Sequence, residues 1–453
     1  MGRKSPNMLE GPLTPNIIRY TIPVILTGIL QLLFNAADLM VVGWFCGSIS
    51  VAAVGATTSL TLLLVNFFVG LSAGAGIAVA HALGGHQDQE VHETVHTTLP
   101  LSLACGILVT IIGVGFSGTF LKMMDTPENV LPLSTLYMQI YFAGITFTMV
   151  YNFCAAILRA AGDTKSPLIF LSLAGAVNVI LNVVFVTVFH MNVAGVALAT
   201  TISQGISAVL VVRALMKRQD ACHLALKQMR FYLIPIKKIL RIGLPAGIQS
   251  ALFSISNVMI QSSVNSFGDI FIAGNAAAAN IEGFIYIALN SFHQTAVNFC
   301  GQNAGAGRFD RVSKTLWVCL ACTGIFGLVL GTCGWLFGQS LLSLYITDSP
   351  EAIRYGMIRL SIVCRTYLLC GLMDVSTGAL RGIGASFIPM VICVLGVCGI
   401  RIGWILTLFQ LPQFHTPQSL YISYPVSWII TFLCQMTAFL ILYRKLLRSR
   451  TIP

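Results

Sequence analysis

Apolar runs long enough to cross a bilayer alternate with short polar breaks along the whole chain. A span needs about 20 mostly apolar residues. Twelve runs meet that length, at roughly 15–45, 51–82, 94–118, 132–158, 167–190, 194–217, 237–266, 271–300, 314–338, 352–380, 388–410 and 419–446. The pattern predicts an all-α polytopic membrane protein with twelve transmembrane helices. Polar residues inside the runs are few. Where they recur, they do so three or four positions apart, the spacing of one helix face.

The pattern also repeats. A forward shift of 222 positions places Pro23 on Pro245, Leu158-Arg159 on Leu380-Arg381, Gly162 on Gly384 and Pro167 on Pro389. An echo over nearly the full length is the mark of a duplicated fold. Six spans per half is an even number, so both halves enter the membrane from the same side as parallel repeats. The expected organisation is an N-lobe over 1–217 (helices 1–6), a cytoplasmic linker over 218–236 and a C-lobe over 237–453 (helices 7–12). Pro23 and Pro245 fall inside the first helix of each half. Each removes a backbone donor and bends its helix, as either a fixed kink or a hinge.

Composition agrees: 56% of residues are hydrophobic and 9% are charged, against about 25% charged in a soluble domain. The first apolar run has no small-residue cleavage site and reads as a retained span. The net charge of +11 would suit nucleic acid, but its placement does not. Of 26 Lys and Arg, 21 lie at the termini or in the even-numbered turns, and Lys122 is the lone basic residue of the odd-numbered turns. That bias puts both termini in the cytoplasm of a multi-pass cell (inner) membrane protein. The basic residues face lipid headgroups, and no nucleic-acid partner is expected. Thirteen cysteines scattered through apolar runs read as small hydrophobes. His81, His86, His92 and His96 crowd the first cytoplasmic turn without partners at metal-ligand spacing and read as a solvated loop.

Of fifteen Asp and Glu, only Asp38, Glu282 and Asp374 lie deep within runs. A charge at the bilayer centre costs about 2.5–3.5 kcal/mol on the lenient scale, so each should face a partner or a wet cavity. Gln31, Asn35 and Asp38 form one stripe on the first helix. Asn178 and Asn182 lie on the fifth helix, Thr200 and Gln204 on the sixth and Asn152 on the fourth. In the second half, Glu282, Tyr286, Asn290 and Gln294 follow i,i+4 spacing, and Asp374 lies on the tenth helix. These stripes either line a shared cavity or make separate interhelical hydrogen bonds worth about 0.6 kcal/mol each. Arg365 and Arg401 are also mid-run, and either could neutralise Asp374 or Glu282 in a buried ion pair. No Walker A lysine motif is present and no spacing joins a nucleophile to a base, so an enzyme is not expected.

The stretch Ile22-Pro23 to Asn35-Ala36-Ala37-Asp38, the turn Leu158-Arg159-Ala160-Ala161-Gly162-Asp163-Thr164, Asn178-Val179-Ile180-Leu181-Asn182, Gly301-Gln302-Asn303, and Asp374 followed by Gly378-Ala379-Leu380-Arg381-Gly382 together resemble the multidrug and toxic compound extrusion (MATE) family. They look closest to its bacterial branch typified by the DNA-damage-inducible F protein. The resemblance implies two V-shaped six-helix lobes and efflux of cationic amphipathic drugs in exchange for H+ or Na+ by alternating access. It implies a cation-coupling site at Asp38, Asn178, Asn182 and Thr200, with Asn152 nearby. Many relatives carry Asp where this chain has Asn182, and one carboxylate holds Na+ less strongly than two. Gln31, Asn35, Asn152, Glu282, Tyr286, Asn290 and Asp374 become candidates for substrate contact. No cofactor is expected beyond the coupling ion, and no metal site beyond Na+ at Asp38. The partners expected are small cationic drugs and lipid, and the chain is expected to be monomeric. The alternative is a flippase or exporter of a lipid-linked or metabolite substrate from the same superfamily.

Overall fold

Helices make up the regular structure of this computed structural model, which describes residues 7–124, 126–347 and 349–448. In chain order they are α1 Leu13–Cys46, α2 Ser48–Gly84, α3 Asp88–Met123, α4 Leu131–Ala143, α5 Ile145–Ala160, α6 Lys165–Thr187, α7 Asn192–Met216, α8 Leu233–Asn265, α9 Asp269–Gly305, α10 Phe309–Leu336, α11 Gly338–Ser343, α12 Pro350–Arg359, α13 Arg365–Gly382, α14 Phe387–Cys393, α15 Ile400–Leu406 and α16 Pro417–Arg448. Eleven spans among the described residues are long and apolar enough to cross a membrane, and α4 with α5 makes the twelfth. The predicted fold class is what forms: a polytopic helical membrane protein built as two six-span repeats.

The fourth predicted span is not one straight helix. It bends by 44° between α4 and α5. Gly144 occupies the break, where a Cβ would lie 2.5 Å from the Thr201 side chain. The hydroxyls of Thr110 and Thr201 donate to the carbonyls of Phe142 (2.9 Å) and Ile140 (3.3 Å). Side-chain donors thus take up carbonyls loosened by the bend, as a kink in hydrocarbon requires. In the second half the interruptions are π-helical: Leu360–Cys364 follows Arg359, and Val394–Gly399 precedes Arg401 by two residues. Such turns shift a helix face and recur at functional sites.

Two compact units divide the chain, and neither ends in the linker. One runs from Ile22 to Gly247; the other combines Asn7–Thr21 with the chain from Ile248 onward. Both crossings fall within two residues of Pro23 and Pro245. In the first unit, α8 meets α2 through two small-xxx-small pairs, Gly70/Gly74 and Gly243/Gly247. A Cβ on Gly74 would sit 2.3 Å from the Ile239 carbonyl oxygen, and one on Gly243 2.4 Å from that of Leu71. Backbones this close are the membrane-helix contact that only small residues allow. The segment before α8 is fastened to α3. His96 Nε2 accepts the Ala225 N–H at 3.0 Å, and Thr97 Oγ1 bonds both the Arg230 carbonyl and the Tyr232 N–H at 3.3 Å. The Lys238 ammonium meets Glu90 in an ion pair. His92 and His96 are therefore not a solvated loop. They stack at 3.9 Å and anchor this strap.

The second unit fastens the start of α1 in the same manner. Asn303 Nδ2 donates to the Met8 carbonyl at 3.1 Å, and Arg311 donates to that of Gly11 at 3.2 Å. Tyr20 packs edge-on against Phe299 at 5.5 Å, and the Thr21 and Thr295 hydroxyls meet at 2.8 Å. The thirteen cysteines are all free thiols.

The glycine crossing yields a direct test. Gly243→Val forces a side chain into the Leu71 backbone and should cost about 1–3 kcal/mol. Its apparent melting temperature should fall in detergent thermal denaturation. Gly403→Ala, with nothing within 4 Å of the added Cβ, should match the parent.

Candidate functional site

Asp38 sits one turn after Phe34 on α1, and Phe34 sets the geometry. Its ring lies against Gly175 of α6, where an added Cβ would fall 1.8 Å from ring carbon Cε2. That contact brings α1 and α6 together at the level where Asn178 and Asn182 project, one and two turns beyond Gly175. The side chains then close a ring. Asn182 Nδ2 donates to Asp38 Oδ1 at 2.5 Å and to Asn178 Oδ1 at 3.3 Å. Asn178 Nδ2 donates to Thr200 Oγ1 of α7 at 3.3 Å, and the Thr200 hydroxyl donates to Asp38 Oδ2 at 3.4 Å. Asn178 and Asn182 are buried, and Asp38 and Thr200 half-buried. The side chains bonded to Asp38 are the Asn182 amide and the Thr200 hydroxyl, with no Lys or Arg among them. Tyr137 of α4, also buried, lies within electrostatic reach of the carboxylate. The buried Asn182 Oδ1 has no hydrogen-bond donor.

The second unit contains a different arrangement. Glu282 of α9 is gripped bidentately by Arg359 at the end of α12, Nε to Oε1 at 2.9 Å and the second guanidinium nitrogen to Oε2 at 2.7 Å. The remaining nitrogen donates to Asn275 Oδ1 at 2.6 Å, which also accepts the Tyr421 hydroxyl at 2.9 Å. The guanidinium lies 5.6 Å from the Tyr421 ring centre. Such an ion pair is neutral overall, fully hydrogen-bonded and oriented by its fork geometry. Asp374 of α13 is buried, and its Oδ2 has no donor. Asn290 stands beside it and donates to the Tyr286 hydroxyl at 3.3 Å. Arg381 is the nearest charge acting on Asp374, but it spends its hydrogen bond on Gln249 Oε1 at 2.8 Å.

Comparison with known proteins fits this duplicated frame. The MatE family model matches residues 23–184 and again 245–405, so the two matches begin at Pro23 and Pro245. The chain is a member of the MatE family. Among its relatives, "Probable multidrug resistance protein YoeA" of Bacillus subtilis strain 168 is 28% identical over 422 residues, spanning 91% of this chain and 90% of that protein. "Probable multidrug resistance protein NorM" of Thermotoga maritima is 23% identical, spanning 85% of this chain and 83% of its own length. A solved outward-facing multidrug resistance MATE transporter of the MOP superfamily superposes with a TM-score of 0.91 at 19% identity. That match covers 99% of this chain and 100% of the other.

Within this MatE chain, the four residues expected to cluster in the first half do so. Gln31 and Asn35, expected on the same stripe, are exposed and outside the hydrogen-bonded ring, and Asn152 is half-buried on α5 without a bond to it. In the second half, Tyr286, Asn290 and Asp374 come together, whereas Glu282 is committed to Arg359. Either Arg365 or Arg401 could have neutralised a carboxylate, but among the described residues neither makes an ion pair. Arg365 is exposed, 4.6 Å from the Trp335 ring centre. Arg401 lies over Tyr424 at 4.0 Å and donates to Ser427 Oγ at 3.0 Å. The cation that does the pairing, Arg359, sits near the start of its span, where a charge reads as an interfacial residue. Its signal was the stripe Tyr421, Tyr424 and Trp428 on the last helix, spaced to form an aromatic wall. Tyr137 and Gly175 carried no polar pattern that would mark them.

The buried pair sets a prediction. Glu282→Gln leaves the Arg359 guanidinium buried without a charge partner and should destabilise by about 3–5 kcal/mol. The double change Glu282→Leu with Arg359→Met should recover most of the loss. An unchanged melting temperature in the single variant would contradict the pairing.

Proposed function

We propose that this protein is a secondary active efflux transporter that expels cationic amphipathic compounds by alternating access, with coupling at Asp38. The relatives' names as multidrug resistance proteins support the substrate class. The observation that carries the reading is a carboxylate deep in a span, met by an amide and a hydroxyl but by no cation. Such a group is functional by default in hydrocarbon. A substrate cation and a coupling cation would compete for the same negative charge, and competition is sufficient for exchange. We assign H+ as the coupling ion, because a single carboxylate is neutralised fully by one proton. Na+ is the second reading. The donor-free Asn182 Oδ1 stands with the Asp38, Asn178 and Thr200 oxygens as a ready oxygen set for a hard cation. Pro23 and Pro245, at the crossings between the units, are assigned as hinges, and the working protein as a monomer with both termini cytoplasmic.

The test is dye efflux from proteoliposomes driven separately by a pH gradient and a Na+ gradient. The parent should respond to the pH gradient, and Asp38→Asn should fall to the rate of protein-free vesicles while folding normally. Ethidium export by that variant at the parental rate would refute the proposal. Asn182→Asp supplies a second carboxylate and should raise the response to the Na+ gradient by roughly tenfold, an affinity gain of about 1.4 kcal/mol. Orientation is checked by a C-terminal fluorescent-protein fusion, which should fluoresce only if that end is cytoplasmic.

A further inference from the structure

Arg401 is a cation without a counter-charge. It is 5% exposed, on a span whose two flanking turns are uncharged. Among the described residues it makes no ion pair with a carboxylate. Five buried ionic residues line the interior of the second unit: Glu282 and Asp374 against Arg359, Arg381 and Arg401. Glu282 is consumed by Arg359, and Asp374 faces Arg381. The balance of two negative against three positive charges leaves an excess of one positive charge among these residues.

The donors around it are also unspent. A guanidinium has five N–H groups, and Arg401 uses one, on Ser427 Oγ. The Ser427 hydroxyl proton is already given to the Tyr424 carbonyl at 2.8 Å. Among the described residues, the terminal nitrogens of Arg401 and the hydroxyls of Tyr367 and Tyr424 meet no protein acceptor. The aromatic wall is built around this point. Tyr424 lies 4.0 Å and Trp428 5.5 Å from the guanidinium carbon, and Tyr367 packs on Trp428 at 5.3 Å. The π-helical turn Val394–Gly399 places Arg401 on this wall. At the matching position of the first half, 222 residues earlier, stands Val179, so the charge is no part of the shared scaffold.

We propose that Arg401, Tyr367 and Tyr424 form a binding site for a monovalent anion, either chloride or the carboxylate of a small aromatic acid. The positive charge supplies attraction in a low dielectric, and the unpaired N–H and O–H donors supply coordination. The rings of Tyr424 and Trp428 pack on the guanidinium and hold it in place. The site lies wholly in the second unit. It does not depend on how coupling works at Asp38.

Thermal denaturation of the purified protein in detergent tests it, at constant ionic strength with isethionate as the reference anion. Chloride and benzoate are titrated in separate arms. The parent should show a saturable rise of about 2–4 °C or more with at least one of them. A response to chloride alone assigns an inorganic anion, and one to benzoate assigns an organic acid. Arg401→Gln should abolish the rise, and Arg365→Gln, at the exposed arginine, should keep it. If Arg401→Gln does not yield folded protein, Tyr424→Phe retains the ring, removes one donor and should weaken the apparent affinity severalfold. The absence of a saturable shift in the parent with either anion, or an equal shift in Arg401→Gln, would overturn the proposal.

Discussion

A charge placed in hydrocarbon must be met by the protein itself, because neither lipid nor bulk water supplies a partner there. The interior chemistry of this chain follows from that constraint. Asp38 is met by neutral donors and by no cation. Glu282 is met by a guanidinium and has its charge cancelled. These are two solutions to one problem, and they have opposite consequences. A carboxylate held only by an amide and a hydroxyl has no fixed counter-ion. A carboxylate gripped in a bidentate ion pair is costly to open, since opening it strands two charges.

The repeat makes the contrast sharper. Position 137 in the first half and position 359 in the second correspond under the 222-residue shift. Tyr137 stands near Asp38 as a neutral phenol, and Arg359 closes on Glu282 as a cation. The scaffold at both places is a span that bends or changes its winding: a break at Gly144 in one half and the turn Leu360–Cys364 in the other. Duplication thus kept the irregularity and changed the residue it presents. In each half the irregularity frees a helix face to bring a side chain onto the polar centre.

Close approach between helices fixes the rest. Hydrophobic association gives little drive inside a bilayer, so packing depends on how near two backbones can come. Phe34 on Gly175 sets the level at which α1 meets α6, and so decides that Asn178 and Asn182 reach Asp38. Gly70 and Gly74 against Gly243 and Gly247 hold the first part of α8 in the first unit, up to the residue where the chain leaves it. The straps at 225–232 and 7–11, tied by His96, Thr97, Asn303 and Arg311, hold the entries to α8 and α1. Pro23 falls between such attachments, after Thr21 and before Phe34, and Pro245 lies within the packed stretch from Gly243 to Gly247.

The spans, their duplication and the polar stripes were legible in the sequence, and the grouping of Asp38, Asn178, Asn182 and Thr200 came from the family resemblance. Hydropathy is a property of single residues, and a polar stripe three or four positions apart must share a helix face. The ring needed only the further knowledge that α1, α6 and α7 are neighbours. Pairing in the second half was not legible. Which of several arginines reaches Glu282 depends on winding, and a π-helical turn rotates everything beyond it without leaving a mark in composition. Arg365 looked central and faces outward; Arg359 looked peripheral and is buried. The bend at Gly144 and the attachment of the first turns of α1 and α8 likewise come from contacts between residues far apart in the chain. Sequence by itself determined which residues are costly to bury. Tertiary structure decided which of them are neutralised and which are left free, because that depends on distances of an ångström or two between helices that no local pattern encodes.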